Sequence, residues 1–129
     1  TPPDVPGTLL SSFRGGADIY VIGTQESCLQ AEWEALLARH LSGAYVKVAQ
    51  ESLMSICLLV YAHKQVAPHL RDVRASAVAC GVGNVIGNKG GVAVSLLIAG
   101  MRLLLVTSHL AAHDEFVERR NADYARIVA

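Results

Sequence analysis

What this chain of 129 residues has little of narrows its class first. It has three cysteines, Cys28, Cys57 and Cys80, far apart in sequence. Cys57 and Cys80 lie in apolar runs, so the set reads as reduced core residues of a cytosolic compartment, not as a disulfide frame or a metal cluster. Net charge is absent, because eleven Lys and Arg offset eleven Asp and Glu. No bulk field therefore draws the chain to nucleic acid or to an anionic membrane. No apolar run approaches the ~20 residues that cross a bilayer as a helix. The first residues show no basic segment followed by an apolar one, as a signal peptide would. A cytoplasmic location is the expectation. Internal repeats and low-complexity tracts are missing too. Prolines are scarce and uneven, with Pro2, Pro3 and Pro6 among only four. Residues 1–16 accordingly read as an irregular lead-in with a helical turn at Leu9 to Phe13, and the folded domain as residues 17–129.

What is present is apolar. Hydrophobic residues make up 52% and mean hydropathy is +0.36, which predicts one small globular domain rich in core. A short buried strand is expected at Ile19 to Ile22, with Gln25 and Glu26 at its end. Ser27 and Gln30 have capping-box spacing and open a helix with the stripe Leu29, Trp33, Leu36, Leu37 and Leu41, ended by Gly43. Tyr45 to Ala49 and Leu53 to Tyr61 read as paired strands with Lys47 facing out, and Val73 to Cys80 as another strand. Val92 to Ala99 and Met101 to Thr107, split by Ala99-Gly100, read as strands buried on both faces. Asp114 to Ala129 reads as a helix capped by Asp114, with Glu115 and Arg119 paired and Val117, Tyr124 and Val128 facing inward. Strands outnumber helices, so the class is mixed α/β with a largely antiparallel sheet.

The chemistry concentrates between Gly81 and His113. Gly81, Gly83, Gly87, Gly90 and Gly91 allow positive φ and close backbone approach to a ligand. Bare N–H groups in such a loop can surround an anion, and Lys89 adds a full charge. A plain turn accounts for the loop equally well when it is taken alone. The Walker pattern does not apply, because neither Ser nor Thr follows the lysine. HLAAH has the spacing of the zinc helix motif, but Ala112 stands where that motif needs glutamate. His109 follows directly on a buried strand, where layered α/β folds carry their chemistry.

Four stretches carry a family resemblance. GNKGGVAVSL, VTSHLAAH and ERRNADY closely resemble consecutive motifs of the inositol polyphosphate 5-phosphatases, in the exonuclease-endonuclease-phosphatase superfamily that includes DNase I. DIYVIGTQE, from Asp18 to Glu26, resembles that family's strand ending in a metal-binding glutamate. The resemblance implies a DNase I-like four-layer α/β sandwich with mixed, mostly antiparallel sheets. It implies Mg²⁺-dependent hydrolysis of the 5-phosphate of phosphoinositides or soluble inositol polyphosphates, with peripheral membrane contact by the whole protein and no nucleic acid partner. Glu26 would then hold Mg²⁺, and Asn88, Lys89, Arg120 and Asn121 would bind substrate phosphate. His109 and His113 would be catalytic at the scissile phosphate. The family's Gly-Asp-x-Asn and Ser-Asp-His segments are not found in these residues, so the expectation is the central part of the catalytic domain. A non-catalytic module and a DNase I-like nuclease are the other classes, separated from it by turnover on phosphate esters or on DNA.

Overall fold

The computed structural model describes residues 16–27, 30–41 and 43–129. The lead-in, the turn at Leu9 to Phe13, Cys28 and Leu29 lie outside the described residues. Six strands and two helices follow in the order β1 (Ile19–Thr24), α1 (Gln30–Leu41), β2 (Tyr45–Leu53), β3 (Ile56–His63), β4 (Arg71–Ala79), β5 (Gly90–Ile98), β6 (Met101–His109) and α2 (Val117–Val128). They form two three-stranded antiparallel sheets, ordered β1-β3-β2 and β4-β5-β6.

The period of two in β3 organises the core. Ile56, Leu58, Val60 and Ala62 face the second sheet and pack with Leu70 and with Val92, Val94 and Leu96 of β5. Cys57, Leu59 and Tyr61 face the other way, onto Leu37 and Leu41 of α1. β3 is thus covered on both sides and reads as a continuous apolar run. Each fully buried Val or Leu stabilises such a core by on the order of 1.5–3 kcal/mol. Trp33 and Leu36 pack at the edge of the α1 cluster, as core rather than as a ligand platform. Cys57 and Cys80 are free and buried.

Several expectations change in detail. The capping box does not form, because Gln30 donates its side-chain amide to Met54 O and the Ser27 amide donates to Ser55 O. These bonds fasten the start of α1 to the β2–β3 turn. That turn sits at Met54 and Ser55, since polar Gln50 and Ser52 extend β2 on its exposed side instead of breaking it. Lys47 does not point to free solvent. It pairs with Tyr61 across the ladder, which puts it on the α1 face, where it bonds Glu34 and Gln50. β6 is not buried on both faces: Leu103 and Leu105 enter the core, whereas Leu104 is 68% exposed and Val106 47%. The period-two alternation puts them on the outer face of the sheet.

The C-terminal helix begins later than expected, after a tight turn at Asp114–Phe116, and Asp114 does not cap it. Arg119 pairs with Asp123, not Glu115. Val117, Tyr124 and Val128 are exposed, and the inward positions are Asp123 and Ile127, the latter lying over Gly91 of β5. Asp123 and Ile127, not the stripe of Val117, Tyr124 and Val128, therefore mark the face that α2 turns inward.

Candidate active site at the strand ends

Glu26, Lys89 and His109 meet where β1 and β6 finish side by side. Gly23 lies so close to β6 that a Cβ there would stand 2.7 Å from Thr107 Oγ1, so only glycine permits the approach. Gln25 then donates Nε2–H to Ser108 O, tying the two sheets at this end. Glu26 follows with φ 53°, and its Oε1 lies 3.5 Å from His109 Nε2. A left-handed conformation costs a non-glycine residue on the order of 1–2 kcal/mol, which the neighbouring ties must offset.

The glycine loop closes on itself. The Cys80 amide donates to Lys89 O at 2.8 Å, that of Gly81 to Ile86 O at 2.9 Å, and that of Asn84 to Gly81 O at 2.7 Å. A Cβ on Gly81 would fall on Ile86 O and Asn88 Oδ1, so the fold of the loop depends on that glycine. These amides, with that of Val85, are engaged inside the loop rather than open to an anion. Lys89 stands just before Gly90, which pairs with His109 across the β5–β6 ladder. Its Nζ lies 2.7 Å from His109 Nε2. One imidazole nitrogen is therefore shared by an ammonium and a carboxylate: it accepts from Lys89 in one tautomer and faces Glu26 with a proton in the other. The His109 side chain is 17% exposed and that of Glu26 76%, so the trio grades from half-buried to open.

Of the other candidates, Asn88 and His113 line an adjoining cleft of about 890 Å³ together with Lys89, Phe116, Arg119 and Asp123 among others, whereas Arg120 and Asn121 do not. Lys89 belongs to both groups, whereas Glu26 and His109 lie outside the cleft lining. His113 has φ 74° and ψ 144°, and its ring meets Phe116 edge-on with centroids 6.1 Å apart. Arg120 donates to the carbonyls of Ala111, His113 and Asp114, so it braces the histidine turn through backbone. Asn121 is exposed on α2. Arg119 and Asp123 were missed as a pair in the sequence, although their i, i+4 spacing was there to read. Burial pushes the Cys80 thiol up, and the Asp123 carboxylate adds to that.

Among the described residues, no three His, Cys, Asp or Glu side chains gather as a cage for a metal ion. Glu26 fits a hard cation in a different way. It offers one exposed carboxylate at the open end of both sheets, which suits Mg²⁺, an ion that keeps several waters and takes few protein oxygens.

Two face-to-face antiparallel sheets, with ionisable side chains gathered at the ends of β1 and β6, define a layered α/β protein of the DNase I-like kind. The sequence matches the Endonuclease/Exonuclease/phosphatase family 2 over residues 4–129, and the chain belongs to that family. It is 37% identical to the type II inositol polyphosphate 5-phosphatase 15 of Arabidopsis thaliana, over 82% of this chain and 10% of that protein. It is 36% identical to the type II inositol 1,4,5-trisphosphate 5-phosphatase of Mus musculus, over 92% of this chain and 13% of that protein. The solved inositol polyphosphate 5-phosphatase domain of SpSynaptojanin, in complex with inositol (1,4)-bisphosphate and calcium ion, superposes with a TM-score of 0.77 and 31% identity, covering 88% of this chain and 37% of that one. A Cimex nitrophorin shares the fold at 15% identity and a TM-score of 0.63. The chain thus spans a small part of these curated relatives and about a third of the solved phosphatase domain.

Proposed function

We propose that this chain forms the central part of an inositol polyphosphate 5-phosphatase domain, which hydrolyses the 5-phosphate of a phosphoinositide or soluble inositol polyphosphate with Mg²⁺ bound, on the cytosolic side of the cell. The observation that carries it is the meeting of Lys89, His109 and Glu26 at the end of two packed sheets, with Lys89 Nζ 2.7 Å and Glu26 Oε1 3.5 Å from one imidazole nitrogen. The bisphosphate held by the synaptojanin relative supports the 5-position, because removing that group from a 1,4,5-trisphosphate leaves a 1,4-bisphosphate. Its calcium supports a divalent cation at oxygen ligands.

In this reading Lys89 exchanges His109 for a substrate phosphate, which it meets as a point charge, and Asn88 beside it donates an amide hydrogen bond. His109, released from the ammonium, turns Nε2–H to the scissile phosphate and neutralises charge that grows as water attacks phosphorus and the inositol oxygen leaves. His113 lines the adjoining cleft that Lys89 also borders, and from there orients that phosphate. Arg120 holds the His113 turn through backbone carbonyls. Glu26 would hold the Mg²⁺, which when bound would supply further positive charge at the phosphoryl group.

The test is a complete phosphatase domain in which this chain replaces the matching segment of the synaptojanin relative. Phosphate release from inositol 1,4,5-trisphosphate is measured with Mg²⁺. Charge-assisted hydrogen bonds contribute on the order of 1.5–3 kcal/mol, so Lys89→Ala lowers kcat/KM by about ten- to a hundredfold. Lys64→Ala, exposed at the far end of β3, leaves it unchanged. A chimera without turnover, one that nicks DNA instead, or equal activity of the two variants overturns the reading.

A further inference from the structure

Asp123 is the one buried charged residue among the described residues, at 2% exposure. Burying a carboxylate is costly unless it is paired and hydrogen-bonded, so its partners show what the position is for. An anchor for α2 needs no charge, and Ile127 already packs that helix onto Gly91. The Asp123 carboxylate reaches elsewhere. Its Oδ2 accepts the Ala111 amide at 3.0 Å, midway along the turn between His109 and His113. Its Oδ1 faces Arg119 Nε at 3.3 Å. The same guanidinium donates through its NH2 group to Cys80 O at 2.8 Å and to Gly81 O at 3.3 Å, at the base of the loop that ends in Lys89. The Cys80 amide closes that base onto Lys89 O, and the Cys80 thiol donates to Asp123 O.

We infer that Asp123 and Arg119 are positioning residues, a polar clamp that fixes the glycine loop at a set distance from the histidine turn and so holds Lys89 where a substrate phosphate meets it. This rests on the phosphate-loop reading above. The clamp runs unbroken from the Lys89 carbonyl through Cys80 and Gly81, the guanidinium and the carboxylate to the Ala111 amide. β5 and β6 join Lys89 and His109 through one ladder, but a ladder sets no distance between the two loops above it; the clamp does. A planar fork suits the task, because it addresses one carboxylate and two carbonyls at once, which an ammonium does not. Arg119 is consequently engaged with the protein rather than offered to the substrate.

The test uses the same chimeric domain, with rates normalised to folded protein. Asp123→Asn keeps an acceptor for Ala111 and removes the charge that orients Arg119. Arg119→Lys keeps the charge and removes the fork. Both raise KM for inositol 1,4,5-trisphosphate by about tenfold, the order expected for a displaced charge-assisted contact. A merely structural role lowers the melting temperature and leaves KM per folded molecule at the parent value; that result in both variants overturns the proposal. If Asp123→Asn does not fold, Arg119→Lys decides alone, since its side chain is 48% exposed. If Lys89→Ala also leaves KM and kcat unchanged, or the parent chimera is inactive, the phosphate-loop reading itself falls and this inference with it. An affected Lys89→Ala beside an unaffected Arg119→Lys overturns the clamp only.

Discussion

At the scale of the residue, burial and hydrogen bonding decide which polar groups remain available. The Cys80 and Cys57 thiols are pushed up, by burial first in each case, so both stay protonated and unreactive while the chain is folded. Iodoacetamide at neutral pH, followed by peptide mass mapping, should leave these two cysteines unmodified in native protein and label them in urea. Labelling at equal rates in both states would contradict the placement of β3 and of the loop base. Lys47 shows the opposite case. It bonds Glu34 across the α1 face, and that hydrogen bond, with the Lys47 charge, holds the Glu34 carboxyl below its ordinary range. A depressed folded-state pKa means the pair stabilises the fold above the ordinary glutamate range and is lost as pH falls through the lowered value. Both side chains are about a third exposed, so the effect is small, on the order of 0.2–1 kcal/mol. In the chimeric phosphatase domain, Lys47→Ala should lower stability by that amount in urea melts at pH 7 and by nothing at pH 2.

At the scale of the element, the β5–β6 hairpin sets the register that puts Gly90, next to Lys89, opposite His109. Ala99 and Gly100 have φ 49° and 77°, the pair of left-handed residues that a two-residue hairpin turn requires. A side chain at Gly100 meets open space, so a substitution there acts only through backbone strain. In the chimeric domain, Gly100→Ala should cost about 1 kcal/mol in a urea melt and leave the register from Gly90–His109 to Ile98–Met101 intact. A loss several times larger would mean that the turn does more than close the hairpin.

At the scale of the whole molecule, the outer face of the β4-β5-β6 sheet stands open beyond α2. Leu104 and Val106 on that face are exposed, and β1 and β6 each pair on one side only. Apolar patches and unpaired strand edges of this kind bind dye and recruit other chains. The isolated chain should bind a hydrophobic dye and aggregate on warming, whereas a reversible two-state melt of a clean monomer would contradict this. It should also turn over inositol phosphates negligibly, because it spans 37% of the solved phosphatase domain. Phosphate release at ~1–10 per second, an ordinary enzyme rate, would show that these residues suffice.

Local order and local chemistry determined much of this in the sequence alone. The two apolar runs around Ala99-Gly100, the buried β3 run and the α1 stripe are short-range periodicities, and they appear in the fold close to where they were read. Glu26, Lys89 and His109 were legible as types of residue at the ends of such runs. That they meet was not, because the meeting depends on β1 lying against β6 through Gly23 and on the loop folding back at Gly81. The first is a contact between residues more than eighty positions apart and the second an irregular turn within one loop, and no periodicity encodes either. Tertiary structure likewise decided that Lys47 faces α1, that Leu104 and Val106 lie on the outer face of the sheet, and that Asp123 rather than Tyr124 turns inward. In each case the outcome depended on which partner was within reach of the side chain, a property of the packed layers rather than of the chain.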